Sequence, residues 1–428
     1  MSSTVPSRVP GAAGTPAAAG AEPGDLPPAL TWLPPAWVVA AGLVAVAANL
    51  RVGLAGVPPL AQLITTDLHL SNAAVGALTT LPVLCMGLFA PVAHWAGSRW
   101  GAAPTVFAAL ILATLGSALR LGGSSIPVLY LASLVVGVGI AVIGTLLPRL
   151  VKVLFPPERA GAATGLYMLA LMLGATASAA LSVPLARVLG SWQGSLASWS
   201  VVGLVGLVAW APLTRVVWKH RAEVTSRTVG SRLPWRYLAA WLVTAYLVTQ
   251  SWAFYSTLAW LAPSYVALGW DSEHAGYLLS VFSGVQVIAG LLVPIISDRV
   301  HDLRRLLVPI TAFAAVGLVG IAAWPDAAPW VPWLWAALIG LGHGSAFALA
   351  LVLLVRLATT PHASGGLSAM GFLVGYGVAA FGPLAMGVVR DATGGFQTVW
   401  LVLMGVLVAQ LAVSLALRPG LRRVGVPS

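Results

Sequence analysis

Long apolar runs, following one another with only short polar breaks, leave this chain one kind of solvent. About 20 apolar residues in helical form cross a bilayer. Inside hydrocarbon every backbone N–H and C=O must find a partner within the protein, so such runs must be helices. Twelve can be placed, at 36–63, 72–97, 102–121, 126–154, 160–187, 192–217, 236–267, 273–297, 304–324, 330–357, 364–390 and 396–417. Of the 428 residues, 59% are hydrophobic and only 8% charged. A soluble domain carries about 25% charged residues, which excludes that class. The expected fold is an all-α membrane protein of twelve transmembrane helices.

The few charges carry the topology. Most of the 22 Lys and Arg residues fall on the side that also holds both termini. Only Arg120, Arg187 and Arg390 fall on the other, and Arg51 lies within a span. Under the positive-inside rule this predicts a multi-pass protein of the plasma membrane with both termini cytoplasmic. The net charge of +11 is scattered between apolar runs, so nucleic acid is not an expected partner and lipid is. Residues 1–30, rich in Ala, Gly, Pro and Ser, read as a disordered cytoplasmic tail. They lack the apolar stretch of a cleaved signal. Two six-helix bundles follow, 31–217 and 236–417, joined by a basic linker at 218–235 and ended by a cytoplasmic tail at 418–428. The single cysteine, Cys85, excludes an internal disulfide. No cofactor or metal is expected, and Gly137-Val138-Gly139 is no dinucleotide loop because no strand precedes it. No catalytic cluster suggests an enzyme.

The halves echo each other at an offset of about 200 residues. Ser71 to Gly76 answers to Asp271 to Gly276, and Arg99 to Arg299. Gly137-Val138-Gly139 answers to Gly340-Leu341-Gly342, and Gly190-Ser191-Trp192-Gln193 to Gly394-Gly395-Phe396-Gln397. Two parallel six-span repeats resemble the major facilitator architecture, which implies a substrate site at mid-membrane and a rocking of one half against the other. Ile296-Ser297-Asp298-Arg299, followed by Arg304-Arg305, resembles that superfamily's cytoplasmic loop motif. It implies a conformational latch built on Asp298 and Arg299, with Arg99 in the first-half copy, where Ser98 stands in place of the acid. Further stretches resemble the cyanate/nitroimidazole (CynX/NimT) transporters. These are Asn49-Leu50-Arg51, Pro58-Pro59-Leu60, Leu78-Thr79-Thr80-Leu81-Pro82, Gln250-Ser251, Phe254-Tyr255 and Arg390-Asp391-Ala392-Thr393-Gly394-Gly395. The resemblance spans about 36–400 and implies secondary active transport of a small anion or weak acid. His343 and Gly144 stand where that family would have Gln and Asn.

Arg51 is the leading candidate for a substrate contact. A charge at that depth costs at least ~2.5–3.5 kcal/mol, and no acidic residue falls at a comparable depth. The missing counter-ion is then the cargo, received by a planar fork of donors. The competing reading is a structural arginine bonded to backbone carbonyls. Asn49 is a candidate for substrate contact or, equally, for an interhelical hydrogen bond. Gln250, Tyr255 and Trp260 in span seven offer polar heads and aromatic walls, with helix packing as the alternative for the tryptophan. Tyr167 and Tyr376 are weaker candidates. His343 is a candidate for substrate contact and for carrying a proton, or else a neutral histidine bonded across helices. The runner-up function is a multidrug-type exporter of neutral or cationic compounds, against which the want of a membrane carboxylate argues.

Overall fold

The computed structural model of the chain describes residues 34–219 and 233–425. The expected tail at 1–30 and most of the linker at 218–235 lie outside the described residues. Among those described, every regular element is helical apart from one isolated parallel bridge, Ala358 with Val424. Ten helices are long and apolar enough to cross a bilayer, and the bent pair Asn72–Leu88 and Ala90–Trp100 makes an eleventh. Span seven is the 30-residue helix Leu238–Ala267. It is not among those ten, because Thr244, Thr249, Gln250, Ser251, Ser256 and Thr257 dilute its apolar run. The expected twelve are therefore reached only by counting span seven on its position. Apolar side chains such as Val208 in span six and Leu401 in span twelve face outward, exposed as a lipid-facing surface requires.

Prolines set where the spans break. Span one is helical over Ala36–Ala55, then tightens into the 3-10 turn Pro58–Leu60 before Ala61–Leu68. Pro58 and Pro59 have no N–H to return to Leu54 and Ala55, so the α-helix cannot run on. Span two, expected as one run, bends by 52° where Pro91 enters. Span eleven divides between Pro361–Ala379 and Phe381–Thr393, just ahead of Pro383.

The internal repeat is visible in the backbone. Ser71 and Asp271 cap spans two and eight, Ser71 accepting from Ala74 N at 3.2 Å and Asp271 from Glu273 N and His274 N at 3.0 Å. The turn after span one and the turn after span seven each contain a left-handed residue, His69 at φ 51° and Gly269 at φ 97°. Spans six and twelve each follow another, Gly190 at φ 68° and Gly394 at φ 71°. Glycine takes this conformation without the Cβ clash that His69 must bear.

Span two packs on span eleven and span five on span eight, and these two joints hold the halves together. Each joint has a glycine at which a side chain has no room. A Cβ on Gly76 would lie 2.5 Å from Pro383 O, and one on Gly276 would lie 2.8 Å from Ala179 O. Polar contacts fasten the same end. Asp391 accepts from Asn72 N at 3.0 Å, Asn72 Nδ2 at 2.7 Å and Ala73 N at 2.9 Å, while Arg187 pairs with Glu273 across the other joint. The opposite end carries Arg99, Arg299 and Arg356 and is the basic end of the protein.

Two polar segments pack inward. Arg120, expected on the outer side, is fully buried, and its Nη2 donates to Gly53 O at 3.0 Å. That carbonyl lies where span one breaks and its own helix no longer serves it, so Arg120 closes a helix C-terminus, where a cation is favoured. The tail at 418–428 is folded in through Gly425. Val424 N donates to Leu357 O at 2.8 Å, Thr359 N donates to Val424 O at 3.0 Å, and the Val424 side chain is buried with Leu303, Leu307 and Leu353.

Candidate substrate site

Arg51 lies in the last turns of the first helix of span one and is 9% exposed. Its guanidinium carbon stands 5.0 Å from the centre of the Phe254 ring and 5.5 Å from that of Tyr255. These two faces of span seven supply negative quadrupole but no formal charge. One hydrogen bond reaches it among the described residues, Nη1 donating to the Tyr255 hydroxyl at 3.5 Å. That is at the outer limit of a hydrogen bond. No carboxylate pairs with Arg51 among the described residues. The alternative of an arginine bonded to backbone carbonyls describes Arg120 and not Arg51.

A cavity of about 600 Å³ runs from Arg51 to the basic end. Its head is formed by Arg51, Gln250, Ser251, Tyr255 and Gln286, and its rim by Asp298 and Arg356. Between them the wall is apolar, with Met168 and Met172 from span five, Leu291 from span eight, and Phe347 and Leu351 from span ten. A void of about 10 Å³ borders Arg51 together with Ala55, Ala175 and Leu258, one turn nearer the other end. The guanidinium therefore stands at the inner end of the open passage.

The structure brings some of the expected residues together here and sends others elsewhere. Gln250 lines the cavity, donating Nε2 to His343 O at 3.3 Å and accepting from Ser251 Oγ at 3.0 Å. Tyr255 donates to Met86 Sδ at 3.7 Å, a reach into the other half, and its ring meets the lining Tyr376 at 6.1 Å. Asn49 is not on the cavity wall. Its amide donates to Ala45 O at 2.8 Å and Val202 O at 3.1 Å, tying span one to span six. Trp260 is turned into the joint with span eleven, where Nε1 donates to Pro383 O at 2.9 Å. Tyr167 is buried and does not line the cavity. His343 is 1% exposed, its ring edge-on to Phe254 and Phe282 at 6.3 and 6.2 Å, and neither ring nitrogen has a partner among the described residues. Its backbone, not its imidazole, serves the site through Gln250.

The latch also differs from expectation. Asp298 stands at the rim with its side chain 85% exposed, and the base facing it is Arg356 of span ten at 3.9 Å. Arg356 also donates to Val300 O and Ser297 O, so it stitches spans eight and ten within one half. Arg99 and Arg299 are exposed and form no ion pair among the described residues. The tightly held acid of this loop is Asp302. The Arg304 side chain donates to it at 2.8–3.1 Å and holds its carboxyl below the usual range.

Gln286 and the two methionines were not singled out from sequence, and Phe254 only as part of the family-like stretch Phe254-Tyr255. Gln286 carried a signal, as an isolated amide in the apolar run of span eight; Met168 and Met172 carried none, since methionine fills cores as readily as it lines cavities.

The sequence profile of the Major Facilitator Superfamily matches residues 40–383. The chain belongs to the major facilitator superfamily. Within it, the 2-nitroimidazole transporter of Escherichia coli (strain K12) is 35% identical over 381 residues, 88% of this chain and 94% of that protein. The cyanate transport protein CynX of the same organism is 29% identical over 361 residues, 84% of this chain and 91% of that protein. Among solved structures, a D-xylose-proton symporter superposes with a TM-score of 0.68 at 15% identity, covering 89% of this chain and 96% of that one. A nucleoside transporter, NupG, gives 0.70 at 13% identity, covering 88% and 99%. This major facilitator chain is thus a multi-pass membrane transporter for a small molecule, and its family points away from an enzyme.

Proposed function

We propose that this protein is a secondary active transporter that carries a small anion or weak acid across the plasma membrane by alternating access, with its basic end and both termini in the cytoplasm. The observation that carries the reading is Arg51. It is a permanent cation at the head of the cavity with no carboxylate against it, and a carboxylate-, nitrate- or cyanate-like group matches its fork of donors. That two relatives are named for 2-nitroimidazole and for cyanate supports a small cargo. Rocking at the joints of spans two and eleven and of spans five and eight would close the basic end and part the other. His343 is the proposed proton carrier, because it is the one buried imidazole among the described residues.

The runner-up, export of neutral or cationic compounds, draws on the apolar wall beneath Arg51. Uptake into proteoliposomes of labelled cyanate, nitrate, 2-nitroimidazole, short carboxylates and a lipophilic cation tests both readings. Flux of an anion or weak acid that Arg51→Gln abolishes supports the anion reading. Flux of neutral or cationic compounds only, unchanged in Arg51→Gln, overturns it in favour of the exporter. No flux of any of these compounds overturns the anion reading as stated.

A further inference from the structure

The cavity is far larger and far more apolar than a bare inorganic ion needs. Cyanate and nitrate are ions of three and four atoms, while about 600 Å³ lies open beneath Arg51. That volume is in the range that receives organic ligands. Between the head and Arg356 at the rim, Thr164 is the one polar side chain on the wall among the described residues. Immediately beneath the guanidinium the wall is Met172, then Met168, Phe347 and Leu351, none of which can replace a hydration shell. An inorganic ion gains nothing from this wall and exchanges water for protein contacts only at Arg51. A solute with an apolar body gains from the same wall, because its own surface leaves water as it enters.

The head fits the same division. The Phe254 and Tyr255 faces close in on Arg51, and Tyr376 stacks nearly parallel on Phe372, 8° apart at 5.6 Å, while meeting Tyr255 at its edge. One cationic fork set in aromatic walls accepts one anionic head. The two methionines beneath it adapt to the shape of the body that the head carries.

Resting on the reading of Arg51 as an anion site, we propose that the cargo is an organic monocarboxylate with an aromatic or branched apolar body, its carboxylate on Arg51 and its body against Met172, Met168 and Phe347. Bare inorganic anions then bind only weakly. Burying a phenyl-sized body against such a wall is worth on the order of 100-fold in affinity.

Isothermal titration of the purified full chain tests this with phenylacetate, acetate, nitrate, cyanate and the neutral benzyl alcohol as probes, on the wild type and on Arg51→Gln and Met172→Asn. Thermal unfolding of each variant is measured on the same preparation. The expected result is phenylacetate bound about 100-fold more tightly than acetate or nitrate. Arg51→Gln should lose about 30-fold or more for every anion, and Met172→Asn should weaken phenylacetate alone. Nitrate or cyanate bound as tightly as phenylacetate, and still lost in Arg51→Gln, would overturn the apolar-body proposal and leave the anion site standing. Benzyl alcohol bound as well as phenylacetate, with Arg51→Gln without effect, would overturn the anion site itself, and so would the absence of binding by every probe. If a variant unfolds, the ranking of the five probes on the wild type decides the proposal alone.

Discussion

Replacing Asp391 with asparagine should unfasten the closed end of the protein. Its carboxylate takes three donors from the opposite half, Asn72 N, Asn72 Nδ2 and Ala73 N, at 2.7–3.0 Å. Two of these are backbone groups in the first turn of span two, where a helix presents unbonded N–H groups and a partial positive charge. An asparagine in the same place keeps one acceptor oxygen and turns an NH2 group toward donors. Hydrogen bonds to a charged group are worth about 1.5–3 kcal/mol net. Asp391 is exposed, which holds the loss toward the lower end, about 2 kcal/mol. When the halves part, both partners are hydrated, so the loss falls on the closed state alone. About 2 kcal/mol moves the equilibrium by roughly 30-fold, enough to turn a tenfold excess of the closed state into a minority. Spin labels on Leu121→Cys and Trp330→Cys, both exposed at this end on opposite halves, report the separation in a Cys85→Ala background. Electron–electron resonance distances should shift from a short to a long population in Asp391→Asn. Identical distributions in the two proteins would refute the argument that this carboxylate holds the end shut.

Arg51→Ala should keep its thermal stability and lose about 2–5 kcal/mol of anion binding, with Arg51→Lys recovering part of it; a destabilised protein of normal affinity would return Arg51 to a structural role. If His343 carries the proton, His343→Gln should abolish uptake driven by a pH gradient yet leave counterflow exchange intact, and unchanged gradient-driven uptake would exclude it. Asp302 should titrate below the ordinary carboxylate range, because Arg304 favours its ionised form. The pair is then present at neutral pH and lost only as pH falls through that depressed value. Carbon-13 chemical shifts of labelled aspartate should show the midpoint rising toward normal in Arg304→Gln.

Much of the fold was legible because lipid leaves so few choices. Apolar runs marked the spans, and the repeat was readable because cap and turn residues recur in order, from Ser71 and Asp271 to Gly190 and Gly394. Span seven kept its place while losing apolarity, since helices that line a cavity must carry Gln250 and Ser251. The site was only half legible. Arg51 stood out because nothing near it in sequence could neutralise it. Asn49 and Trp260 share helices with true lining residues, and only packing decides which face of a helix meets the cavity. The burial of Arg120 was not legible, because a base at a span end looks like a loop charge. Its burial depends on the break in span one, 67 residues earlier in sequence.

The two glycines at the joints bear on how such a chain could arise. Gly76 touches the backbone at Pro383, and Gly276 touches the backbone at Ala179, each glycine in one half against the other. In an ancestral pair of identical six-span subunits these would be one contact met twice across a two-fold axis, and a single glycine would have satisfied both. After duplication and fusion the same restriction falls on two separate codons. Each half can then drift on its own everywhere except at the hinge, where a change in one copy no longer brings a matching change in the other.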